Sequence, residues 1–282
     1  MTLSAPLVSA HWLAEKLGTP GLVIIDGSWY LPALKRDPRQ EYLEGHIPGA
    51  VFFDLDSVSS QTTDLPHMMP EPAEFASAMR KLGVSDGATI VVYDGLGLFS
   101  APRIWWMLKA FGARDVHVLD GGLPAWKADH RPLEDGEVKR AASHFTARLD
   151  HSVLATMGDV QRALAAQAQI QVLDARPAER FRGEVAEPRP GLRMGHIPGS
   201  KSLPFSLLLE NGRMKTPDQL NAVFAQAGVD PNKPVITSCG SGVSAAIITL
   251  ALTVAGHKAG ALYDGSWAEW GKPDGPAIAT GA

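Results

Sequence analysis

Only one cysteine, Cys239, stands among the 282 residues, so neither an internal disulfide nor a cysteine-rich zinc site can form. A lone thiol suits a reducing compartment, and the cytoplasm is the expected location. Basic residues are not in excess: the formal net charge is −4, which leaves no general positive field for nucleic acid or an anionic membrane. Neither is expected as a partner, and any anion site must be local. No apolar run is long enough to span a bilayer, because the longest, Val243 to Ala255, is far short of the roughly 20 residues required. It reads as a buried core helix. The N-terminus has no basic stretch ahead of an apolar one, and Glu15 interrupts the first apolar segment, so neither a secretory nor a transit peptide is expected. With 45% hydrophobic and 20% charged residues, the composition is that of a globular protein, and the length suggests about two domains.

Those two domains are visible as a repeat. The apolar segment ending in Asp at Val23–Asp26 recurs at Gln171–Asp174, and Gly45-His46-Ile47-Pro48-Gly49 recurs as Gly195-His196-Ile197-Pro198-Gly199. Further on, Leu82-Gly83-Val84 and the segment ending at Asp94 match Ala227-Gly228-Val229 and the segment ending at Cys239. Finally Asp120-Gly121-Gly122, with Trp126 after it, returns as Asp264-Gly265-Ser266 with Trp270 after it. Four landmarks keep one order at about 145–150 residues apart, which chance would not preserve. Each copy alternates short apolar strands with amphipathic segments, such as Ala73 to Leu82 and Asp218 to Ala227. The expected fold class is therefore α/β, two tandem domains, each a mostly parallel sheet flanked by helices. Residues 1–138 form the expected N-terminal domain and 151–282 the C-terminal one. The polar stretch Leu133 to Ser143 between them reads as a linker, with the boundary near 136–150.

Cys239 follows the strand-like Val235-Ile236-Thr237 and opens Gly240-Ser241-Gly242-Val243-Ser244 ahead of an apolar helix, Ala245 to Ala255. In open parallel sheets that edge is where ligands bind, and the helix start adds unpaired N–H groups and partial positive charge. Glycines at 240 and 242 let the backbone curl so that several amides face one sulfur. Such a nest stabilises a thiolate, which makes Cys239 the candidate nucleophile. The first copy has Asp94 at this place and is expected to be catalytically silent.

The loop CGSGVS, the paired GHIPG motifs, SWYLP at 28–32, SAPRIWW at 100–106 and YDGSWAEW at 263–270 together resemble the rhodanese family. Within it they resemble the tandem-domain sulfurtransferases that take sulfur from 3-mercaptopyruvate. The resemblance covers essentially the whole chain and implies two rhodanese-like domains with the active cysteine in the second. It implies that Cys239 takes sulfur from a small-molecule donor as a persulfide, with release of pyruvate, and hands it to cyanide or to a thiol acceptor such as thioredoxin. This scheme requires no organic cofactor and no metal. The resemblance also implies a relay of Ser241, His67 in LPHMMP and Asp56 in FFDLD, which would place the site between the domains. It selects Arg180 and Arg189 as the holders of the donor carboxylate, with Gly240, Gly242, Val243 and Ser244 around the sulfur. In thiosulfate-using relatives the two residues after the cysteine are typically basic, whereas here they are Gly240 and Ser241. A neutral loop attracts a compact dianion less, so mercaptopyruvate is the expected donor and thiosulfate the alternative.

Arginine's planar fork suits an α-keto carboxylate, and Arg176, Arg180, Arg182, Arg189 and Arg193 crowd this stretch. Ion pairs with Glu179, Glu184 and Glu187 are the other reading of the same cluster. His46 and His196 are read as turn residues rather than metal ligands, because neither has a ligand-spaced partner. Three rival functions compete for the same residues. A phosphatase loop of the form Cys-x5-Arg would need arginine at 245, which is alanine. A dinucleotide fingerprint is formally met by Gly240-Ser241-Gly242-Val243-Ser244-Ala245, but it would open its domain rather than follow three landmarks. A non-catalytic sulfur carrier or interaction module is disfavoured by the intact cysteine and its glycines.

Overall fold

The computed structural model describes residues 5–165 and 169–282. It divides into two units. The first comprises residues up to Gln61, Met69–Asp150 and Asn211–Met214; the second comprises Thr62–Met68, His151–Glu210 and Lys215–Ala282.

In the first unit the elements run β1 (Leu7–Val8), α1 (Ala10–Lys16), β2 (Leu22–Asp26), α2 (Pro38–Glu44), β3 (Ala50–Phe52), α3 (Leu55–Val58), α4 (Pro72–Lys81), β4 (Thr89–Tyr93), α5 (Ala101–Ala110), β5 (Asp115–Leu119) and α6 (Gly122–Ala128). Further along the chain come β6 (Leu154–Ala155), α7 (Met157–Ala165), β7 (Gln171–Asp174), α8 (Ala178–Phe181), β8 (Lys201–Ser202), β9 (Leu209–Glu210), β10 (Arg213–Met214), α9 (Pro217–Gln226), β11 (Val235–Ser238), α10 (Ala245–Val254), β12 (Ala261–Tyr263) and α11 (Ser266–Trp270), all in the second unit except β10, which belongs to the first. The two five-stranded sheets have the orders β1-β5-β4-β2-β3 and β6-β12-β11-β7-β8. Every pairing within them is parallel. The second order is the first one repeated, strand for strand, so the sequence repeat is a repeat of topology.

Parallel strands covered on both faces read as unbroken apolar runs, which is why Leu22–Asp26 and Val235–Ser238 are buried at every position. α10 is apolar all round and buries Ala245 through Leu252, a core helix and not a span. Among the described residues no helix is long and apolar enough to cross a membrane. α4 and α9 each begin one residue before the expected Ala73 and Asp218. Pro72 and Pro217 occupy the first helical position, where a missing N–H is harmless, and capping boxes (Glu71 with Glu74, Thr216 with Gln219) close both starts.

The polar stretch read as a linker is strapped onto the first unit. Glu134 exchanges backbone hydrogen bonds with His46, Ser143 N–H donates to the Arg80 carbonyl, and Arg148 and Asp150 donate to Phe111 and Ala110. Phe145 is buried against Phe75. The segment lacks apolar periodicity because its backbone hydrogen bonds go to loops and helix ends rather than to a strand neighbour.

At corresponding places in the two sheets, Asp26 and Asp174 are both buried. Asp174 is neutralised by Arg176, two residues on. Asp26 has only Ser28 there, whose N–H donates to it at 2.9 Å. Burial consequently pushes the Asp26 carboxyl up to about 6, against the opposing hydrogen bonds from Ser28 and Tyr93. A carboxyl raised above its unfolded value, near about 3.9, gives stability that is complete below that value and lost as pH climbs through the folded pKa. Asp26→Asn keeps an acceptor for Ser28 without the buried charge. It is expected to melt a few degrees above the parent at about pH 8, on the order of 2 kcal/mol. The advantage should shrink away near about pH 4; thermal melts across that range check it, and a difference independent of pH would contradict it.

Candidate active site

β11 ends at Ser238 and the chain turns through Cys239–Ser244 into α10. Gly242 has φ +78°, a left-handed conformation that side chains resist, so the turn needs glycine there. Gly240 is constrained from outside: a Cβ on it would lie 3.2 Å from the Arg180 Nη2. Cys239 is 2% exposed. Its amide donates to the Ser266 Oγ at 3.3 Å, and the Trp267 and Ala268 amides donate to the carbonyls of Cys239 and Gly240, both at 2.9 Å. The start of α11 thus grips the cysteine turn from behind. In the sequence the 263–270 segment is only a family token, and nothing in it announces this grip.

The backbone amides of Gly240 through Ser244 donate to no acceptor among the described residues. What such a turn holds is visible in the first unit, where Asp94-Gly95-Leu96-Gly97 occupies the place of Cys239-Gly240-Ser241-Gly242. There the Asp94 carboxylate folds into its own turn, accepting N–H from Leu96 (2.9 Å), Phe99 (2.7 Å), Ser100 (2.9 Å) and Ala101 (2.9 Å). Gly97 is again left-handed, with φ +109°. The turn is an anion nest. In the first unit it is filled by a side-chain carboxylate, and in the second the residue at the carboxylate's position in the chain is Cys239. Over the first nest stands Tyr30, whose hydroxyl occupies the space that a Cβ on Gly95 would need. It is tied down by Arg36 and Glu41. Burial and the Glu41 carboxylate hold the Tyr30 phenol well above its ordinary range, so it stays protonated as a donor.

His67 belongs to the second unit, and its Nδ1 lies 3.0 Å from the Ser241 Oγ. The ring is 4% exposed, and its backbone adopts φ +61°, uncommon for a residue with a side chain. Two of the three expected relay residues are therefore in hydrogen-bonding reach. Asp56 is in the first unit, at the start of α3, where its carboxylate accepts the Trp29 indole N–H at 3.1 Å. Val243 is buried and Ser244 half-buried at the entrance to α10.

The arginine cluster separates into distinct roles. Arg176 is fully buried, bidentate on Asp174, donates to the Gly195 carbonyl at 2.9 Å and lies 4.3 Å over the Trp267 ring. Burial works against its charge, but Asp174 and Glu187 outweigh it and raise its pKa. Arg180, on the short α8, shares Glu187 with Arg176, while its Nε is buried with no hydrogen-bond partner. Arg182 pairs with Glu184 at the surface, the ion-pair reading of the cluster. Arg193 ties the carbonyls of Trp270 and Pro276. Arg189 lies half-buried two residues beyond Glu187.

The paired histidines are turn residues. His46 and His196 each direct Nδ1 to a backbone carbonyl, Tyr42 and Phe181 respectively, at 2.8 Å, and stack on the same aromatic side chains. Among the described residues no cluster of His, Cys, Asp and Glu is arranged to hold a metal ion.

Comparison with known proteins agrees with this architecture. A model of the rhodanese-like domain matches residues 9–129 and again 156–273. The 3-mercaptopyruvate sulfurtransferase of Escherichia coli K12 is 48% identical over 265 residues, spanning 94% of each chain. The Homo sapiens 3-mercaptopyruvate sulfurtransferase is 43% identical over 275 residues, covering 95% of this chain and 92% of that one. The crystal structure of SseA from Escherichia coli superposes with a TM-score of 0.87 at 46% identity, covering 94% of this chain and 99% of the other.

Proposed function

The chain belongs to the rhodanese-like family, and from that premise we propose that it is a 3-mercaptopyruvate sulfurtransferase that carries sulfur on Cys239. The observation that carries this reading is the pair of matched turns. The nest that binds a carboxylate in the first unit has a thiol in its place in the second, with a histidine-linked serine two residues on. The first rhodanese-like domain, residues 1–138, is the silent copy and the second, 151–282, the catalytic one.

The Cys239 thiolate attacks the donor sulfur. An S–S bond forms, the donor's C–S bond breaks, and its electron pair passes to the carbon next to the keto group as an enolate. That carbon takes up the proton the donor thiol gave up, and pyruvate leaves. Cys239 retains the outer sulfur as an anionic persulfide, stabilised by the amides of Gly240, Gly242, Val243 and Ser244. Ser241 and His67 shuttle the proton, and Asp56 is the carboxylate of that relay. The persulfide then gives its outer sulfur to cyanide or a thiol acceptor such as thioredoxin, splitting the transfer into two displacements. A persulfide exposed to such acceptors suits the cytoplasm.

Arg180 and Arg189 hold the keto-acid end. Arg180→Ala and Arg189→Ala are each expected to raise KM for 3-mercaptopyruvate by roughly ten-fold, with a smaller effect on kcat, the signature of lost carboxylate binding. Steady-state pyruvate release checks this, and unchanged kinetics in both variants would remove the two arginines from the site. Thiosulfate remains the alternative donor, and the same assay with thiosulfate and cyanide ranks the two.

A further inference from the structure

We infer that Glu187 sets which donor charge the site accepts, by fixing Arg180 beside the cysteine turn and cancelling its charge there; this rests on the sulfurtransferase reading above. Glu187 is not among the residues the family motifs single out as binding the donor. Its side chain is 2% exposed, and its two oxygens face two different guanidinium groups. Oε1 accepts from the Arg176 Nη1 at 2.7 Å, and Oε2 accepts from the Arg180 Nη2.

Arg176 cannot move. Its Nε and Nη2 are committed to Asp174, Nη2 also to the Gly195 carbonyl, and its face to Trp267. The Trp267 amide in turn holds the Cys239 carbonyl. Glu187 therefore hangs Arg180 from the same framework that grips the nucleophile, and Arg180 Nη2 comes to rest against Gly240. Without that bridge a long, freely rotating side chain has no fixed place, and a carboxylate bound to it has none either.

Charge follows from the same four groups. Asp174 and Glu187 balance Arg176 and Arg180, so the cluster is neutral although two arginines stand in it. Arg180 can still turn its buried, unpartnered Nε to a monoanionic keto acid. Within these four groups Arg180 brings no surplus positive charge to a compact dianion, and Gly240 and Ser241 add none; Arg189, the other proposed holder of the donor, stands outside the four. Removing the glutamate charge while keeping its shape should add one positive charge beside the sulfur, which favours a dianion over a monoanion.

The test compares Glu187→Gln and Glu187→Asp with the parent, measuring kcat and KM separately for 3-mercaptopyruvate and for thiosulfate. Glu187→Gln is expected to raise the ratio of kcat/KM for thiosulfate to that for mercaptopyruvate by about ten-fold, and to make thiosulfate turnover more sensitive to added salt. Glu187→Asp keeps the charge but withdraws the bridge by one methylene; it should raise KM for mercaptopyruvate several-fold with kcat retained and the donor ratio unchanged. If Glu187→Gln lowers both donors equally, the residue is only structural and the inference is overturned. If the glutamine variant does not fold, the aspartate variant decides alone, since an unchanged KM there also overturns it. Turnover of mercaptopyruvate by the parent protein, run alongside, separates this inference from the function it rests on: a parent that is inactive on mercaptopyruvate contradicts the proposed function itself, whereas an active parent with an unmoved ratio rejects only the role of Glu187.

Discussion

Cys239→Ser is expected to abolish sulfur transfer, lowering turnover of 3-mercaptopyruvate by at least about a thousand-fold. It should also abolish the adduct of about +32 Da that the parent protein acquires from the donor. Two features make the effect this large. The chain holds no other cysteine, so no second thiol can take over as carrier, and a persulfide cannot collapse into an internal disulfide. Sulfur that reaches Cys239 has to leave to an external acceptor, which means the adduct should accumulate when none is supplied. Serine fits the same turn and keeps the grip of Ser266, Trp267 and Ala268 on the backbone, so the loss is chemical rather than structural. Intact-mass measurement after incubation with donor, repeated after adding cyanide, checks both halves. An adduct of the same mass on the serine variant would place the sulfur elsewhere and end the assignment. Alkylation adds an independent reading of the proposed nest: if the turn amides face the sulfur, the parent thiol should react with iodoacetamide at neutral pH faster than free cysteine.

What can be read from the chain alone divides along a physical line. Repetition in order and spacing is a property of sequence, so the paired α/β units, the match of Asp94 to Cys239 and the strand-turn-helix context are all visible there. Strand direction and order are implied by the alternation of elements, and both sheets have them. Position across the fold is not visible. His67 lies 174 residues from Ser241, and nothing in its local sequence says that the short stretch Thr62–Met68 packs with the second unit. The linker reading goes astray for a related reason: a strap pinned by backbone hydrogen bonds to loops carries no side-chain period, so it looks like any polar connection. Glu187 is visible only as one of three acidic partners for an arginine cluster. Which carboxylate bridges which guanidinium is decided by the turn after α8, and composition is blind to it. The glycines of the silent turn, Gly95 and Gly97, can be found by aligning it with Gly240 and Gly242 and asking what fills the nest when no cysteine does.

That question yields the second large effect. Asp94→Ala is expected to destabilise the first unit by about 4 kcal/mol or more, since charge-assisted hydrogen bonds are each worth roughly 1.5–3 kcal/mol and here act as a set. The carboxylate is 1% exposed and takes four backbone N–H groups from the turn and the start of α5. Alanine leaves those donors buried without an acceptor, at the point where β4 hands the chain to the almost wholly buried α5. Asp94→Asn offers one oxygen in place of two and a clashing NH2 among donors, so it should recover only part of the loss. Asp94→Cys is the informative third variant. A thiol there meets the same amides, but the Tyr30 hydroxyl fills the space over Gly95, the Arg36–Glu41 pair is engaged with that hydroxyl, and Ser28 stands in the place of Arg176. It should therefore fold less stably than the parent and, in a Cys239→Ser background, restore no turnover. Denaturant unfolding followed by hydrogen exchange on β4 and α5 would locate the lost stability. A melt of Asp94→Ala indistinguishable from the parent would mean that the nest does not depend on its anion, and the comparison on which the role of Cys239 is built would lose its internal reference.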